Sequence, residues 1–264
     1  MINIIKQRLK EQRNSVIIYL LSLSGYALLM ISMFPQMKKM DIDALIRSYP
    51  EEIAKFFGDS GMATYSTIEG FISMEFLSFF FMLILTFYIG SVAGTAIAGQ
   101  IEKRTIDFNL SQPISRTKII LAETTTAVFY IALIVAATSL SILLFTKIFN
   151  IDLSFTGLMA FTFMAALFAF AHYGIALFFS SILRSKSTVM LLTVGISLGS
   201  YIFLSLTRLI EKLKDYADLS IYTLYDPEKL LKHGVINWHQ VEILLAIFIV
   251  GLILSTIIFN KKDV

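Results

Sequence analysis

The stretch at residues 155–183, FTGLMAFTFMAALFAFAHYGIALFFSSIL, contains no Asp, Glu, Lys or Arg. A helix needs about 20 mostly apolar residues to cross the hydrocarbon core of a bilayer. Further stretches of similar length without a charged residue lie at residues 15–34, 76–99, 124–146, 187–207 and 243–259. The sequence therefore predicts six membrane-spanning helices.

The overall composition agrees with this prediction. Of the 264 residues, 56% are hydrophobic and only 16% are charged, whereas about a quarter of the residues of a soluble domain are charged. The mean hydropathy is +0.76. These values exclude an ordinary soluble domain and predict an all-α polytopic membrane protein. The chain has no cysteine, which excludes disulfides, thiolate metal ligands and cysteine nucleophiles.

The N-terminal segment, residues 1–14, is basic and precedes the first span. Its apolar positions lie on one helical face, as in a helix that rests on an anionic membrane surface, although a solvated N-terminus fits equally well. The first apolar run is 20 residues long and no A-x-A site follows it. We therefore expect a retained anchor rather than a cleaved signal peptide.

The distribution of charge predicts the orientation of the chain. With both termini in the cytoplasm, the inner segments carry 12 Lys and Arg and 5 acidic residues, and the outer segments carry 10 and 14. The net charges of +7 inside and −4 outside follow the positive-inside bias. This orientation makes residues 100–118 a cytoplasmic loop and residues 35–75 and 208–242 extracytoplasmic loops. Apolar spacing predicts partly buried helices at 41–58 and a membrane-contacting segment around Leu224, Leu230, Leu231, Val235 and Trp238.

The cytoplasmic loop contains the polar stretch IEKRTIDFNLSQPISRTK at residues 101–118. Its apolar spacing predicts an amphipathic helix over residues 101–111. Pro113 would end that helix, and Ser115 is a candidate N-cap for the next one. Either the loop merely links two spans, or it provides a docking surface, since it is longer than a connection requires.

Three sequence motifs resemble the permease subunits of ABC-2 type transporters. The first is Glu102, Arg104, Thr105 and Leu110, followed by Pro113, Ile114, Ser115 and Arg116. The second is GIALFFSSILRSKSTVML at residues 174–191, and the third is the tail Phe259, Asn260, Lys261, Lys262, Asp263, Val264. Together with six spans and a large first outer loop, the resemblance covers nearly all of residues 1–264, as a single transmembrane domain with the ABC-2 permease fold.

The resemblance implies a function for the cytoplasmic loop. The chain would be the permease of an ATP-driven exporter in the plasma membrane, working with two copies of an ABC ATP-binding subunit and with a second permease in a homodimer or heterodimer. The segment 101–111 would be the coupling helix. Its ATPase-coupling residues would be Glu102, Lys103, Arg104, Thr105, Asp107 and Phe108, with Arg184 and Lys186 as a secondary contact. Because the chain has no G-x-x-x-x-G-K-[ST] loop, ATP and Mg would be bound by the partner, and the chain itself would not be an enzyme.

Polar residues within the spans leave other functions open, because such residues are costly in a bilayer. Glu123 or His172 could serve an ion-coupled secondary transporter or channel. Glu75 and Glu242 lie at span ends, where interfacial solvation explains them. A membrane sensor or assembly factor could also use the same loop to hold a partner.

Other site classes receive little support from the sequence. His233 and His239, with Asp226 and Glu228, fit no standard metal-site spacing, so no metal site and no cofactor on this chain is predicted. No nucleic-acid signature is present. Small-residue faces at Gly90, Gly94 and Gly99, and at Gly195 and Gly199, predict close helix contacts within or between subunits.

Overall fold

A computed structural model describes residues 2–38, 65–104 and 115–262 of the chain. Within these ranges the secondary structure is helical, with no strand. Six helices are long and apolar enough to cross a membrane: Ile2–Met37, Ile68–Ala96, Arg116–Ile148, Phe155–Ile182, Lys186–Leu209 and Trp238–Lys261. Each predicted span falls on one of them, which confirms the six-span, all-α architecture.

The described helices are numbered in chain order. They are α1 (Ile2–Met37), α2 (Ile68–Ile72), α3 (Phe80–Ala96), α4 (Ala98–Glu102), α5 (Arg116–Ile148), α6 (Phe155–Ile182), α7 (Lys186–Leu209), α8 (Pro227–His233) and α9 (Trp238–Lys261). A π-helical segment, Ser73–Leu77, lies between α2 and α3, and two 3₁₀ segments, Glu211–Leu219 and Ile221–Leu224, lie between α7 and α8.

Helix α6 is the centre of the bundle. It packs against α9, α3 and α5, while α1 packs on α5 and α7 packs on α3. The contact between α6 and α9 is the most extensive, and it depends on Gly174 and Gly251. A Cβ atom on Gly251 would lie 2.5 Å from the carbonyl group of Gly174. Only glycine allows the two backbones to approach this closely.

The predicted small-residue faces have different surroundings. A Cβ on Gly90 or Gly94 of α3 would lie within 3.1 Å of backbone atoms of Met190 and Lys186 in α7. These glycines therefore allow two spans of one subunit to pack closely. By contrast, a Cβ added to Gly195 or Gly199 on α7 would have no described residue within 4 Å, so this face of α7 is open in the described part of the chain.

The second span is broken at two places. Near its first end, the N–H of Ser78 donates to the carbonyl oxygen of Ser73, five residues back, at 2.9 Å, which is the π-helical pattern. At its other end, Ile97 has φ −130 and ψ −62, which interrupts the helix. The backbone N–H of Ala98 donates instead to Ser180 Oγ at 3.1 Å. The short helix α4 is thereby anchored to α6.

The structure agrees with some of the local predictions and differs from others. Residues 2–14 are helical and continuous with the first span in α1, which is 36 residues long; a position on the membrane surface stays a prediction. Ser115 is at the N-cap position of α5 but makes no side-chain capping hydrogen bond.

The predicted helix over 101–111 is wrong at its start, because α4 ends at Glu102 and Arg104 has a left-handed φ of 53. Residues 105–111 lie outside the described part.

The loop predictions are also partly corrected. The sequence predicts that Leu230 and Leu231 contact the membrane, but both are buried where α8 packs on α6. Val235 and Trp238 are exposed. The predicted helices at 41–58 lie outside the described residues.

Candidate coupling site at one end of the bundle

Residues 98–104, 115–123, 180–186 and 259–262 meet at one end of the bundle, which we call the loop end. Glu102 is the last residue of α4, and its side chain crosses to the start of α7. Its Oε2 accepts a hydrogen bond from the backbone N–H of Lys186 at 2.9 Å, and its Oε1 accepts one from Ser185 Oγ at 3.3 Å. A carboxylate at a helix N-terminus is stabilised by the unpaired N–H groups and the helix dipole. Glu102 therefore ties the beginning of the polar loop to the fifth span.

The predicted coupling segment, which includes Glu102, and the predicted secondary contact, which includes Lys186, are thus in direct contact. Lys186 lies against the second span, because a Cβ on Gly94 or Gly99 would contact its backbone or the stem of its side chain. Lys103, Arg104 and Arg184 are exposed around the same turn. Three other predicted coupling residues, Thr105, Asp107 and Phe108, lie outside the described residues.

A buried polar cluster lies beside this turn. Glu123 of α5 is 2% exposed, and its Oε1 accepts hydrogen bonds from Arg8 Nε at 2.6 Å and from Gln100 Nε2 at 3.1 Å. Arg8 also pairs with Glu11, which is partly exposed, at 2.7 Å. Since a buried carboxylate requires a cationic or donating partner, Glu123 holds α1 and α4 against α5.

Arg116, the first residue of α5, binds the end of α9. Its guanidinium donates to the backbone oxygens of Phe259 at 2.7 Å and Lys262 at 2.5 Å. The guanidinium carbon also lies 5.4 Å from the centre of the Phe259 ring. The last carbonyl groups of a helix have no intrahelical partner, so Arg116 supplies the donors that the end of α9 requires.

Lys262 makes the corresponding contact at the end of α6. Its ammonium donates to the backbone oxygens of Ser181, Ile182 and Leu183 at 2.8 to 3.0 Å. Burial lowers the pKa of Lys262, and the positive charge of Arg184 acts in the same direction. The ends of α6, α9 and α5 are therefore connected through two cationic side chains.

The described groups of this site make structural contacts between helices and helix ends. Its groups pair with one another or cap helix ends. Across the described ranges, no cluster of three or more His, Cys, Asp or Glu is placed to hold a metal ion. The contacts connect the short exposed turn to α5, α6 and α7 and, through Glu123, to α1. Arg116 and Lys262 join α9 to the same end of the bundle.

The other polar residues considered from the sequence lie apart from this site. His172 is buried in α6, with Nδ1 3.0 Å from the carbonyl oxygen of Phe168; its Nε2 has no partner among the described residues. Glu75 accepts a hydrogen bond from Tyr65 at 2.7 Å. Glu242 is exposed and lies 3.9 Å from His239. In the described part, His172 and Glu123 share no hydrogen bond.

Sequence reasoning missed the partners that hold the site together. Arg8 and Gln100 were not expected to contact Glu123, because 115 and 23 residues separate them from it. In the sequence, Arg116 and Lys262 stand out only as parts of motifs. Their common signal was a cationic residue next to the end of an apolar span, where unpaired carbonyl groups occur.

The fold and this site define a multi-pass, all-helical membrane protein with a polar turn joined to its spans at one end. A family model described as ABC-2 family transporter protein matches residues 5–264. The chain therefore belongs to the ABC-2 family of transporter proteins, as its motifs predicted. Comparison with curated proteins gave no match. Membership makes the chain the membrane-spanning permease subunit of an ABC transporter, a component that associates with an ABC ATP-binding subunit.

Proposed function

We propose that this permease serves an ATP-driven exporter in the plasma membrane, with its termini and its loop end in the cytoplasm. Two copies of an ATP-binding subunit would bind ATP and Mg and would contact the loop end. The observation that carries this proposal is the contact between Glu102 and Lys186, because it joins the exposed turn of Lys103 and Arg104 directly to a span.

The structure offers two routes by which a displacement of the turn would reach the spans. The first passes from Glu102 to the N-terminus of α7. The second passes from Gln100 to Glu123 and on to Arg8 in α1. An ATP-binding subunit that binds one arrangement of the turn more tightly than another would shift the equilibrium between two membrane conformations. Movement of α1 and α7 against α3 and α5 is the expected result.

A second permease subunit, identical or related, completes the proposed transporter. The open face of α7 at Gly195 and Gly199 supports this part of the proposal. Apolar residues of the same helix are exposed around it, including Leu191, Leu192 and Ile196. Small residues allow close helix contact in a bilayer, so this face suits a helix of a second subunit.

The test is mild extraction of the tagged chain from its native membrane, followed by mass spectrometry of the proteins that remain bound. We expect a protein that contains the G-x-x-x-x-G-K-[ST] loop (Walker A), in an amount stoichiometric with the tagged chain. The double variant Lys103→Glu/Arg104→Glu should lose this partner and keep its thermal stability, because both side chains are exposed. Lys118→Glu, an exposed charge reversal in the following helix, is the matched control. Retention of the partner by the double variant would contradict docking at this turn.

The alternative of an ion-coupled transporter has weaker support. Glu123 is bound to Arg8 and Gln100, and the described part of the chain provides no hydrogen-bonded path from it to His172. Purified chain in vesicles without an ATP-binding subunit distinguishes the two functions. Transport driven by an ion gradient alone would favour the alternative, whereas the proposed function requires ATP.

A further inference from the structure

A cleft opens at the end of the bundle opposite the loop end. Its volume is about 500 Å³, which is within the range of small-molecule sites. Tyrosine side chains form much of its walls, from Tyr65, Tyr201, Tyr222 and Tyr225. The polar residues Ser73, Glu75 and Arg208 also line it. None of these residues belongs to the proposed coupling site.

The π-helical segment Ser73–Leu77 places two polar side chains, Ser73 and Glu75, in the lining of this cleft. Such segments occur frequently at functional sites, because they turn side chains out of the regular helical register. Ser73 is 1% exposed, and its hydroxyl has no hydrogen-bond partner among the described residues. An unpaired buried hydroxyl costs free energy, and a ligand or an ordered water at the floor of the cleft would remove that cost.

Hydrogen bonds fix the tyrosine walls in place. Tyr65 donates to Glu75 Oε1 at 2.7 Å, Tyr222 lies 2.9 Å from Ser197 Oγ, and Tyr225 donates to the carbonyl oxygen of Leu77 at 3.3 Å. Burial raises the pKa of Tyr222 to about 12, so its phenol stays neutral at physiological pH. Neutral aromatic rings attract cations, so a wall lined by tyrosines suits a cationic group.

The charges around the cleft separate into paired and unpaired groups. Asp226 pairs with Lys229 at 3.1 Å, and Glu228 pairs with Lys232 at 2.6 Å. Within the described ranges, Glu75 and Arg208 make no ion pair with any residue, and Arg208 is exposed at the rim. Among the described residues, the cleft thus presents one carboxylate and one guanidinium without an ion-pair partner.

We propose that this cleft binds a zwitterionic group, with its ammonium held by Glu75 and the tyrosine rings and its anionic group held by Arg208. Such a group occurs both in phosphoethanolamine lipid headgroups and in free zwitterionic solutes. The proposal concerns binding by this chain alone and does not depend on the direction of transport or on the ATP-binding subunit.

The test uses the full chain purified in dodecyl maltoside, a detergent without charge, and measures binding calorimetrically. Glycerophosphoethanolamine is the complete probe, ethanolamine lacks the anion, and glycerophosphoglycerol lacks the ammonium. Saturable binding of the complete probe is expected, with at least tenfold weaker binding of each partial probe. Equal binding of the complete probe and glycerophosphoglycerol would overturn the proposal, as would absence of saturable binding to folded protein from which bound lipid has been removed.

Variants locate the site. Glu75→Gln and Arg208→Met should each weaken binding of the complete probe at least tenfold, whereas Glu242→Gln, which removes an exposed carboxylate outside the cleft, should leave it unchanged. Arg208→Met keeps the test valid if Glu75→Gln reduces folding, because Arg208 is exposed. Unchanged affinity in Arg208→Met would contradict the proposed site.

Lipid analysis of the same preparations distinguishes the two sources. Phosphatidylethanolamine that copurifies with the wild type but not with Arg208→Met would identify a lipid headgroup. Binding of the soluble probe without retained lipid would identify a free zwitterionic solute.

Discussion

The guanidinium of Arg116 donates a hydrogen bond to the backbone oxygen of Lys262, 146 residues away in the sequence, at 2.5 Å. The ammonium of Lys262 in turn binds the last carbonyl groups of α6. Two motifs that indicated the family in the sequence, one in the polar loop and one in the tail, therefore meet in space. Their basic residues stabilise helix ends, which is a role inside the subunit.

Removing this connection should destabilise the bundle. Arg116→Ala loses the hydrogen bonds to the carbonyl oxygens at the end of α9, and a hydrogen bond to a charged group contributes about 1.5 to 3 kcal/mol. We expect a lower midpoint of thermal unfolding in detergent. Lys118→Ala removes a nearby exposed charge and should leave the midpoint unchanged. Equal midpoints for Arg116→Ala and the wild type would show that these hydrogen bonds do not stabilise the fold.

The pair of Arg8 and Glu123 should behave as a buried ion pair. Arg8→Met leaves the buried Glu123 carboxylate without its cation and should cost about 3 to 5 kcal/mol. Glu123→Leu should cost less, because Arg8 keeps its ion pair with Glu11. The double variant should recover part of the loss in a double-mutant cycle of unfolding free energies. Glu11→Gln, at the more exposed partner, should cost about 1 kcal/mol or less. Strict additivity of the two single variants would contradict direct pairing.

Glu102 should contribute to stability as well as to the proposed coupling. Glu102→Ala removes an acceptor at the start of α7, and losing a helix cap costs about 0.5 to 2 kcal/mol. Lys103→Ala, at the exposed neighbour, should have no effect on unfolding. This comparison, made by thermal unfolding in detergent, separates the structural role of Glu102 from docking. If the two variants unfold at the same temperature, the contact with Lys186 is not significant for stability.

The close approach of α6 and α9 should tolerate no added methyl group. Gly251→Ala would place a Cβ 2.5 Å from the Gly174 carbonyl group, and overpacking of this kind costs about 1 to 3 kcal/mol. Gly25→Ala in α1, where nothing lies within 4 Å, is the control and should be neutral or slightly stabilising. Thermal unfolding of both variants is the measurement, and a stable Gly251→Ala protein would contradict the packing.

The orientation of the chain is testable because the protein has no cysteine. Lys118→Cys at the loop end and Lys214→Cys at the opposite end are both exposed positions. In intact cells, a membrane-impermeant maleimide should label Lys214→Cys only, and Lys118→Cys should react after the membrane is opened. The reverse pattern would contradict cytoplasmic termini.

The number and position of the spans and the family could be read from the sequence alone. Both depend on local properties: the length of uncharged apolar runs, and motifs whose residues lie within about 20 positions of one another. The sequence does not predict that the N-terminal segment and the first span form one continuous helix, α1. It also does not predict the breaks in the second span. The break at Ile97 arises because Ser180, on another helix, satisfies the freed N–H of Ala98, and local propensity does not include such a partner.

Which polar residues act together depends on the tertiary structure. The resemblance implies that Glu102 is a coupling residue, which stays a prediction, and only the structure shows that its carboxylate binds the start of α7. The sequence also leaves open that Glu123 is an ion site. The structure shows that Glu123 binds Arg8, which lies 115 residues away along the chain. In a bilayer, a polar side chain must find its partner within the protein, and which partner it finds depends on helix packing. Local sequence therefore sets where the helices lie along the chain, and only their packing sets which charges meet.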